Sequence, residues 1–292
     1  HRALLLLSGM PAARVLPNAV SFSAAISACE KGGEWDRALL FLSGMPAARV
    51  LPDAISFSAA ISACQKGGEW QMALLLLSGM PSAAVTPDVV SFGSTIFACG
   101  SHQWRVALHL FMDMLSTGIS PDQVSYSQVL EATMPIEIGG EIFREALSKR
   151  MWPNMLRDNG SMIDLHDHSC GSGRLAVRWW LAEVVAERLA SGRNSKAFTV
   201  VTGWGKSREA WQTGDLQEEV SHLLRDCGIS CEAHPTNPGC LRVDCSAVAP
   251  SRLQALFPSV GARENKRGCR FLNWYALLCC LPCGRFVPKP RP

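Results

Sequence analysis

The sequence predicts an α-solenoid of helix–turn–helix repeats that is followed by a small α/β sandwich domain. The solenoid is predicted by a repetition: the segment Ser21–Trp35, SFSAAISACEKGGEW, returns at Ser56–Trp70 with one change, and a looser copy, one residue shorter, occupies Ser91–Trp104. A fixed period between about 20 and 50 residues is typical of stacked repeat arrays. The α/β domain is predicted because the period ends near Pro135, and strand-like runs then alternate with amphipathic helices.

One unit, Ala19–Asp53, predicts two helices. Its first half carries an apolar stripe with loose helical spacing, formed by Val20, Phe22, Ala25, Ile26 and Cys29. The pair Gly32-Gly33 ends this helix, because glycine is costly inside a helix and favoured at its carboxyl-terminal cap. A second apolar stripe begins at Trp35 and ends before Pro46, which has no amide donor. Neither helix buries its stripe alone, so we expect successive units to stack.

The chain contains three whole units, Ala19–Asp53, Ala54–Asp88 and Val89–Asp122. A half unit precedes them, and the first helix of another unit follows, beginning QVSYSQVLEA. His1 aligns with Asp36, inside a second helix, so we expect this chain to be a fragment of a longer array. We divide the sequence into a solenoid over 1–135, a linker over 136–158, an α/β domain over 159–246 and a basic, disordered tail over 247–292.

Charge is distributed unevenly along the 292 residues, whose net charge is +3. Residues 1–122 carry 7 Lys+Arg against 8 Asp+Glu, and residues 123–245 carry 13 against 16. Residues 246–292 carry 8 against 1, a net charge of +7. The solenoid therefore lacks the basic excess that normally dominates nucleic-acid affinity. The longest apolar run near the carboxyl end, FLNWYALLCCL from Phe271, is too short to cross a bilayer, so no membrane partner is predicted.

The sequence contains twelve cysteines, and none of them requires a metal or a disulfide. Three share one repeat position on an apolar face, so we expect buried thiols at Cys29, Cys64 and Cys99. Four others have spacings near those of zinc sites but lack paired C-x-x-C motifs: Cys227, Cys231, Cys240 and Cys245. Free thiols are the favoured interpretation of these four, and a zinc cluster is the alternative.

The elements of the α/β domain follow from composition and periodicity. A strand is predicted at Met162–His166, followed by a helix from about Arg174. A second strand is predicted at Ala197–Thr202, and an amphipathic helix at Asp215–Cys227. A last strand is predicted at Cys240–Cys245. Strands that alternate with helices indicate a sheet covered by helices.

The repeat unit resembles a pentatricopeptide repeat, since it is a 35-residue helix pair that closes on Pro-Asp. The tetratricopeptide repeat, usually 34 residues long, is the alternative. The resemblance implies single-stranded RNA as the partner and a chloroplast or mitochondrion as the location, with a targeting segment that this chain does not contain. It also implies that the fifth and last residues of a unit face one base, which pairs Ser23 with Asp53, Ser58 with Asp88 and Gly93 with Asp122.

The motifs IDLH, at Ile163–His166, and TGWGK, at Thr202–Lys206, resemble the small MutS-related (SMR) domain. A pentatricopeptide array followed by such a domain resembles the organellar PPR-SMR proteins over about residues 1–245. The resemblance implies organellar RNA processing or expression and the nicking or cleavage of RNA or DNA. That family commonly has a histidine two residues after the second glycine of the loop, where this chain has Ser207. The departure favours binding over cleavage.

Asp164 and His166 are the predicted catalytic pair, because residues two apart on a strand face the same side. A carboxylate and an imidazole suit a general base or a metal ligand, with Mg²⁺ or Mn²⁺ as the expected ion. The alternative for both is structural, as a hydrogen-bonded histidine and a capping aspartate. The glycine loop is predicted to hold a phosphate through its amides and cations, and to stack Trp204 on a base. Its predicted nucleic-acid contacts are Gly203, Trp204, Gly205, Lys206 and Arg208.

Three hypotheses of function follow. The first is an RNA-binding adaptor whose α/β domain binds or cuts the RNA. The second is a protein–protein scaffold without catalysis, because helical repeats serve that role and this solenoid is not basic. The third is a nuclease that acts on DNA through the α/β domain alone.

Overall fold

The computed structural model describes residues 7, 9–10, 14–133, 136–192, 198–203 and 216–257. The first part of the described chain is helical. Its helices are α1 (Ala19–Gly32), α2 (Trp35–Gly44), α3 (Ala54–Gly67), α4 (Trp70–Gly79), α5 (Val89–Cys99), α6 (Trp104–Ser116), α7 (Gln123–Ala132) and α8 (Ile136–Ser148). The helix–turn–helix repeat predicted from the sequence is confirmed.

Caps at both ends fix the length of the first helix in each repeat. The side chain of Asn18 accepts a hydrogen bond from the amide of Ser21, and the amide of Asn18 donates one to the side-chain oxygen of Ser21. This capping box satisfies amides that a helix otherwise leaves unpaired. At the other end of α1, Gly33 adopts a φ of 69°, a left-handed conformation that glycine adopts without steric cost. The same caps recur one repeat later at Asp53 and Gly68.

The first helices of successive repeats stack in the order α1, α3, α5 and α7, and the second helices pack beside them. Equivalent positions of the units supply the core: Phe22, Phe57 and Phe92; Ile26, Ile61 and Ile96; Met45, Met80 and Met114. Each repeat therefore buries its apolar stripes against its neighbours, which is the architecture of an α-solenoid.

A five-stranded sheet follows, with the strand order β1-β2-β3-β5-β4. The strands are β1 (Leu156–Arg157), β2 (Met162–Asp164), β3 (Phe198–Val201), β4 (Ser230–His234) and β5 (Asn237–Asp244). The pair β2–β3 is parallel, whereas the pairs β1–β2, β3–β5 and β4–β5 are antiparallel. Strands β1 and β4 were not predicted from the sequence, since β1 has two residues and β4 has mostly exposed or half-exposed side chains.

The helices in this part of the chain are α9 (Cys170–Trp179), α10 (Ala186–Ala190), α11 (Leu216–Asp226) and α12 (Pro250–Gln254), with a π-helical segment, Trp180–Val185, joining α9 to α10. Of these, α11 packs against β4 and β5. Helix α9 begins four residues before the predicted Arg174. Ser169 is the reason, because its side chain forms a capping box with Ser172. The cap therefore allows the helix to include Gly171 and Gly173, although glycine is unfavourable inside a helix.

Two expected boundaries differ from the structure. The expected linker, 136–158, contains α8, whose Phe143 stacks on Trp152 with 5.5 Å between ring centroids. The expected disordered tail, 247–292, begins with α12, and Leu253 and Phe257 are 0% and 1% exposed. The described part of each segment therefore contributes to the core, and residues 1–258 form one compact unit. Residues 258–292 of the expected tail lie outside the described residues. Within the described ranges, none of the helices has the length and apolar character needed to cross a membrane.

Candidate nucleic-acid interface

The fifth residue of each unit forms a row of buried hydroxyls on the stacked first helices. The hydroxyl oxygens of Ser23, Ser58 and Ser127 are buried and have no hydrogen-bond partner among the described residues. A buried polar group without a partner costs roughly 1–3 kcal/mol. Because these oxygens are buried, a polar ligand reaches them only when the side chains around them move. Ser127, in the incomplete fourth unit, extends the predicted pair Ser23 and Ser58 and was missed because only whole units were aligned.

Gly93 interrupts this row in the third unit. A Cβ placed on Gly93 would lie 2.8 Å from Oε1 of Gln128, a side chain of the next first helix. The glutamine amide therefore occupies the space that a serine side chain fills in the units on either side. The predicted base contact at Gly93 lacks a side chain, and the carbonyl of Gln128 is the polar group that the structure offers there.

The predicted partners Asp53, Asp88 and Asp122 each cap the first helix of the following unit. In each, Oδ1 accepts a hydrogen bond of 2.8 Å from the amide three residues further on. This structural role explains the carboxylates without any ligand, and the sequence signal for it is a serine three residues after each aspartate. The caps also place the three carboxylates at one edge of the solenoid, where the first helices begin.

Exposed apolar side chains line the same edge. Val20, Ile55 and Val90 occupy the second position of α1, α3 and α5 and are 75%, 67% and 52% exposed. The assignment of Val20 to the buried stripe was wrong, because at 3.6 residues per turn Val20 lies on the opposite side of the helix from Phe22 and Cys29. Val20 lies three residues before Ser23, so the two share a helix face. An apolar row beside polar groups is typical of an interaction surface.

Asp164 and His166 come together at one edge of the sheet. Oδ1 of Asp164 lies 2.7 Å from Nδ1 of His166 and also accepts a hydrogen bond from the His166 amide. Because β2 and β3 are parallel, their carboxyl ends meet, and the Leu165 amide continues the ladder to the carbonyl of Val201. The two motifs IDLH and TGWGK therefore start from the same edge.

Two charged groups that the sequence analysis missed complete this edge. Nη2 of Arg157 lies 2.5 Å from Oδ2 of Asp164, and Oδ1 of Asp167 lies 3.1 Å from Nε2 of His166. The carboxylate of Asp164 is 4% exposed and lies between Arg157 and His166, whose side chains are each 50% exposed. Arg157 belongs to the two-residue strand β1, which has no periodicity that could have identified it.

The residues present do not fit Mg²⁺ or Mn²⁺. Both oxygens of Asp164 are engaged by Arg157 and His166, so neither is directed at a cation. In the part of the chain that the structure describes, no group of three or more His, Cys, Asp or Glu side chains is placed to hold a metal ion. The chemistry considered below is therefore that of the side chains alone.

Gly203 differs from its predicted role. Its φ is +76°, and its amide donates a 3.2 Å hydrogen bond to the carbonyl of Gly239, which also accepts from the amide of Thr202. This amide is directed into the sheet and not toward a phosphate. A Cβ placed on Gly203 would lie 3.8 Å from Cβ of His166, so the glycine loop starts beside the histidine. The other predicted loop contacts, Trp204, Gly205, Lys206 and Arg208, lie outside the described residues.

Buried titratable groups near this edge belong to the core. Burial lowers the pKa of His168 to about 3, and its ring stacks on Trp152 with 4.5 Å between centroids.

The repeated cysteines of the solenoid are buried as predicted, and burial raises the pKa values of Cys64 and Cys99 to about 11. Such thiols are protonated at neutral pH and serve packing.

The geometry defines a helical-repeat protein with an attached α/β sheet. Residues 20–50 and 55–83 match the family model of the PPR repeat, so the chain carries pentatricopeptide repeats. Over 107 residues it is 30% and 28% identical to two pentatricopeptide repeat-containing proteins of Arabidopsis thaliana. That region is 36% of this chain and 12% of each relative.

Solved structures with similar folds include the PPR domain of Arabidopsis thaliana protein-only RNase P 1 in complex with tRNA, with a TM-score of 0.46 and 14% identity over 54% of this chain and 83% of that one. They also include the pentatricopeptide repeat protein PPR10 in complex with an 18-nucleotide psaJ RNA element, with a TM-score of 0.46 and 18% identity over 64% of this chain and 25% of that one.

Proposed function

We propose that this protein binds single-stranded RNA along the edge where the first helices begin, and that it acts in organellar RNA processing or expression. The observation that carries the proposal is the row of buried, unpartnered hydroxyls at Ser23, Ser58 and Ser127. Hydrogen bonds to base edges would satisfy these groups, and no other part of the described repeats offers them a donor or acceptor. The match of residues 20–50 and 55–83 to pentatricopeptide repeats supports the same partner.

The stacking sets the number of bases. Packed helices lie about 8–10 Å apart, so successive first helices place their contacts with the strand at that spacing. Val20 and Ile55 offer apolar surface beside Ser23 and Ser58, which suits the faces of bases that are unstacked from one another. Each repeat then contacts one base, as in other helical RNA readers.

Charge limits the affinity of this array. Residues 1–122 carry 7 Lys+Arg against 8 Asp+Glu, so the solenoid supplies little attraction to phosphates. We therefore expect micromolar binding, selective for single strands because a duplex hides its base edges. A solenoid without a basic excess would also suit a protein–protein scaffold, so direct binding measurements are decisive.

Fluorescence anisotropy with labelled single-stranded RNA, single-stranded DNA of the same sequence and duplex RNA tests the proposal. Saturable binding to single-stranded RNA that is weaker for both other ligands is the expected result. A Val20→Asp/Ile55→Asp variant should lose binding, while Leu40→Asp/Leu75→Asp, exposed on the second helices, should retain it. Absence of RNA binding together with capture of a protein partner through Leu40 and Leu75 would favour the scaffold.

The pair Asp164–His166 favours a second function, cleavage of the bound RNA. Asp164 orients the ring of His166 through the 2.7 Å contact at Nδ1. Once Nε2 leaves the exposed carboxylate of Asp167, it could take the proton of a ribose 2′-hydroxyl. The 2′-oxygen then bonds to phosphorus, the bond from phosphorus to the 5′-oxygen breaks, and the proton passes to that oxygen. The products are a 2′,3′-cyclic phosphate and a 5′-hydroxyl, and DNA is not a substrate because it lacks the attacking group.

The finer assignment of residues 159–246 to the SMR family rests on the motifs IDLH and TGWGK and on the sheet edge that brings them together. An organellar location is proposed from the plant origin of the two relatives. Fluorescent fusion of the full-length transcript product in plant cells tests the location, and cytosolic fluorescence would contradict it.

A further inference from the structure

We infer that Arg157 and His166 hold a backbone phosphate of the same RNA strand, one step beyond the last repeat helix, α7. The inference rests on the proposed function and extends it, because it makes the sheet edge the next contact in the row formed by the repeats. The strand is then bound continuously by the solenoid and the sheet.

The segment that follows His166 lies along α7. Nε2 of Gln123 donates a 3.3 Å hydrogen bond to the carbonyl of Asp167, and Oγ of Ser169 donates one of 3.4 Å to the carbonyl of Ser127. Next, the amide of Gly171 donates to Oε2 of Glu131 at 2.5 Å. The contacts advance together along both chains, from the first residue of α7 to its ninth.

Asp167 lies in the turn before α9, and Gly171 is the second residue of that helix, so the turn and the start of α9 lie along α7. Gly171 permits the close approach, since a Cβ there would lie 2.6 Å from Cα of Glu131. His166, which precedes this segment, therefore lies at the amino-terminal end of α7.

That end of α7 is the edge at which the repeats bind in the proposed function. The caps Asn18, Asp53, Asp88 and Asp122 mark it for α1, α3, α5 and α7. His166 is the next group in the series, joined to α7 through Gln123 and Asp167. A strand that follows the caps would leave the last repeat beside the sheet edge.

The chemistry of the edge suits a phosphate. Arg157 and His166 are half-exposed nitrogen donors, and a guanidinium binds phosphate oxygens in a fork geometry. Asp164 is neutralised by its contact with Arg157, whereas Asp167 competes for Nε2 of His166. A bound phosphate would replace Asp167, so removal of that carboxylate should strengthen binding.

The order of the repeats determines how many nucleotides separate the second guanine from the sheet edge. If the first two whole repeats hold two guanines at Ser23 and Ser58, Gly93 and Ser127 follow as the next two positions. The sheet edge then meets the third nucleotide beyond the second guanine. An RNA that ends before that nucleotide lacks this phosphate contact.

A series of RNAs with two guanines and zero to six added adenines on one side, and a mirrored series on the other, tests the inference by anisotropy. On one side only, affinity should rise about tenfold when the extension reaches three to four nucleotides, the size of one charge-assisted hydrogen bond. His166→Gln should remove this rise, and Asp167→Asn should enlarge it. His222→Gln, a histidine on α11 that is 58% exposed, is the matched control and should leave it unchanged.

The salt dependence of RNA affinity provides a second test, because a purely structural contribution of the sheet edge would leave that dependence unchanged. For the long RNA, the slope of log affinity against log salt should fall by about 0.7 in Arg157→Gln, as expected when one cationic contact to a phosphate of a single strand is lost. A rise that persists in His166→Gln, or no rise on either side, would overturn the inference. If the shortest RNAs show no guanine preference at all, the proposed function fails instead, so the two failures are distinguishable.

Discussion

The ring of Trp35, in α2, fills the space beside Gly67, in α3 of the next repeat. A Cβ placed on Gly67 would lie 2.3 Å from Cδ1 of Trp35. At the equivalent position one repeat earlier, Gly32, the nearest such atom is Cγ of Glu34 at 3.7 Å. Trp35 therefore packs against Gly67 of the following unit, and this contact joins the first two whole repeats.

Gly67→Ala should destabilise the protein, and Gly32→Ala should not. The first change forces a methyl group into the indole ring, and such overpacking costs about 1–3 kcal/mol. The second has room for the methyl group and gains up to about 1 kcal/mol from the lower cost of alanine in a helix. Urea unfolding of the two variants measures both effects. Equal stabilities would show that the Trp35 contact does not limit packing between the repeats.

Phe143→Ala should lower the free energy of unfolding by about 3–5 kcal/mol, the range for a large aromatic side chain removed from a core. The ring lies within 6.4 Å, between centroids, of four rings on other parts of the chain: Trp152, His168, Trp179 and Phe257. Phe143→Leu is the control and should cost markedly less. A small effect of the alanine variant would favour the expected linker over 136–158.

Stability should fall with pH below 6.5 because of His168. Its pKa is lowered by burial to about 3 in the folded protein, so between pH 6.5 and 3 the unfolded chain binds a proton that the folded protein does not. This group therefore removes about 1.4 kcal/mol for each pH unit of acidification within that window. Unfolding of the parent and of His168→Phe, under reducing conditions, measures the difference. His222→Phe should retain the parent's pH dependence, and a parallel decline in all three proteins would rule out His168 as the cause.

Cleavage, if the sheet edge performs it, should depend on Asp164 and His166. Asp164→Asn and His166→Ala should each abolish the 2′,3′-cyclic phosphate product, because the first loses the orienting carboxylate and the second the base. RNA binding by the short guanine oligonucleotide should stay within a few-fold in both. Gel analysis of product ends, with His222→Ala as the control, checks this. Product formation that survives both changes would place the chemistry elsewhere.

The repeats could be predicted in detail because their signal is local and is repeated. The stripe that ends at Cys29, the break at Gly33 and the fixed period determine helix ends, stacking and core together. Val20 was misplaced because the loose spacing was accepted as one face, although helical geometry puts Val20 on the side opposite Phe22 and Cys29.

The sheet edge could be predicted only in part. The spacing of Asp164 and His166 on one strand is a local pattern, and the structure brings the two side chains together. Arg157 and Asp167 reach the same edge through the pairing of β1 with β2 and through the turn before α9, which are tertiary features. The orientation of the Gly203 amide likewise depends on Gly239, which is distant in the sequence.

Base preference tests the central claim most directly. Ser23 and Ser58, each with an aspartate at the end of its unit, resemble the guanine-preferring combination of pentatricopeptide repeats, and asparagine at the fifth position resembles the uracil-preferring one. Anisotropy with G-rich, U-rich and A-rich RNAs should show a modest preference of the parent for adjacent guanines. Ser23→Asn/Ser58→Asn should shift that preference toward uracil, while the same change at Ser62, outside the row, should not. Equal affinity for the three RNAs, before and after the change at Ser23 and Ser58, would contradict RNA recognition by these repeats and favour the protein scaffold.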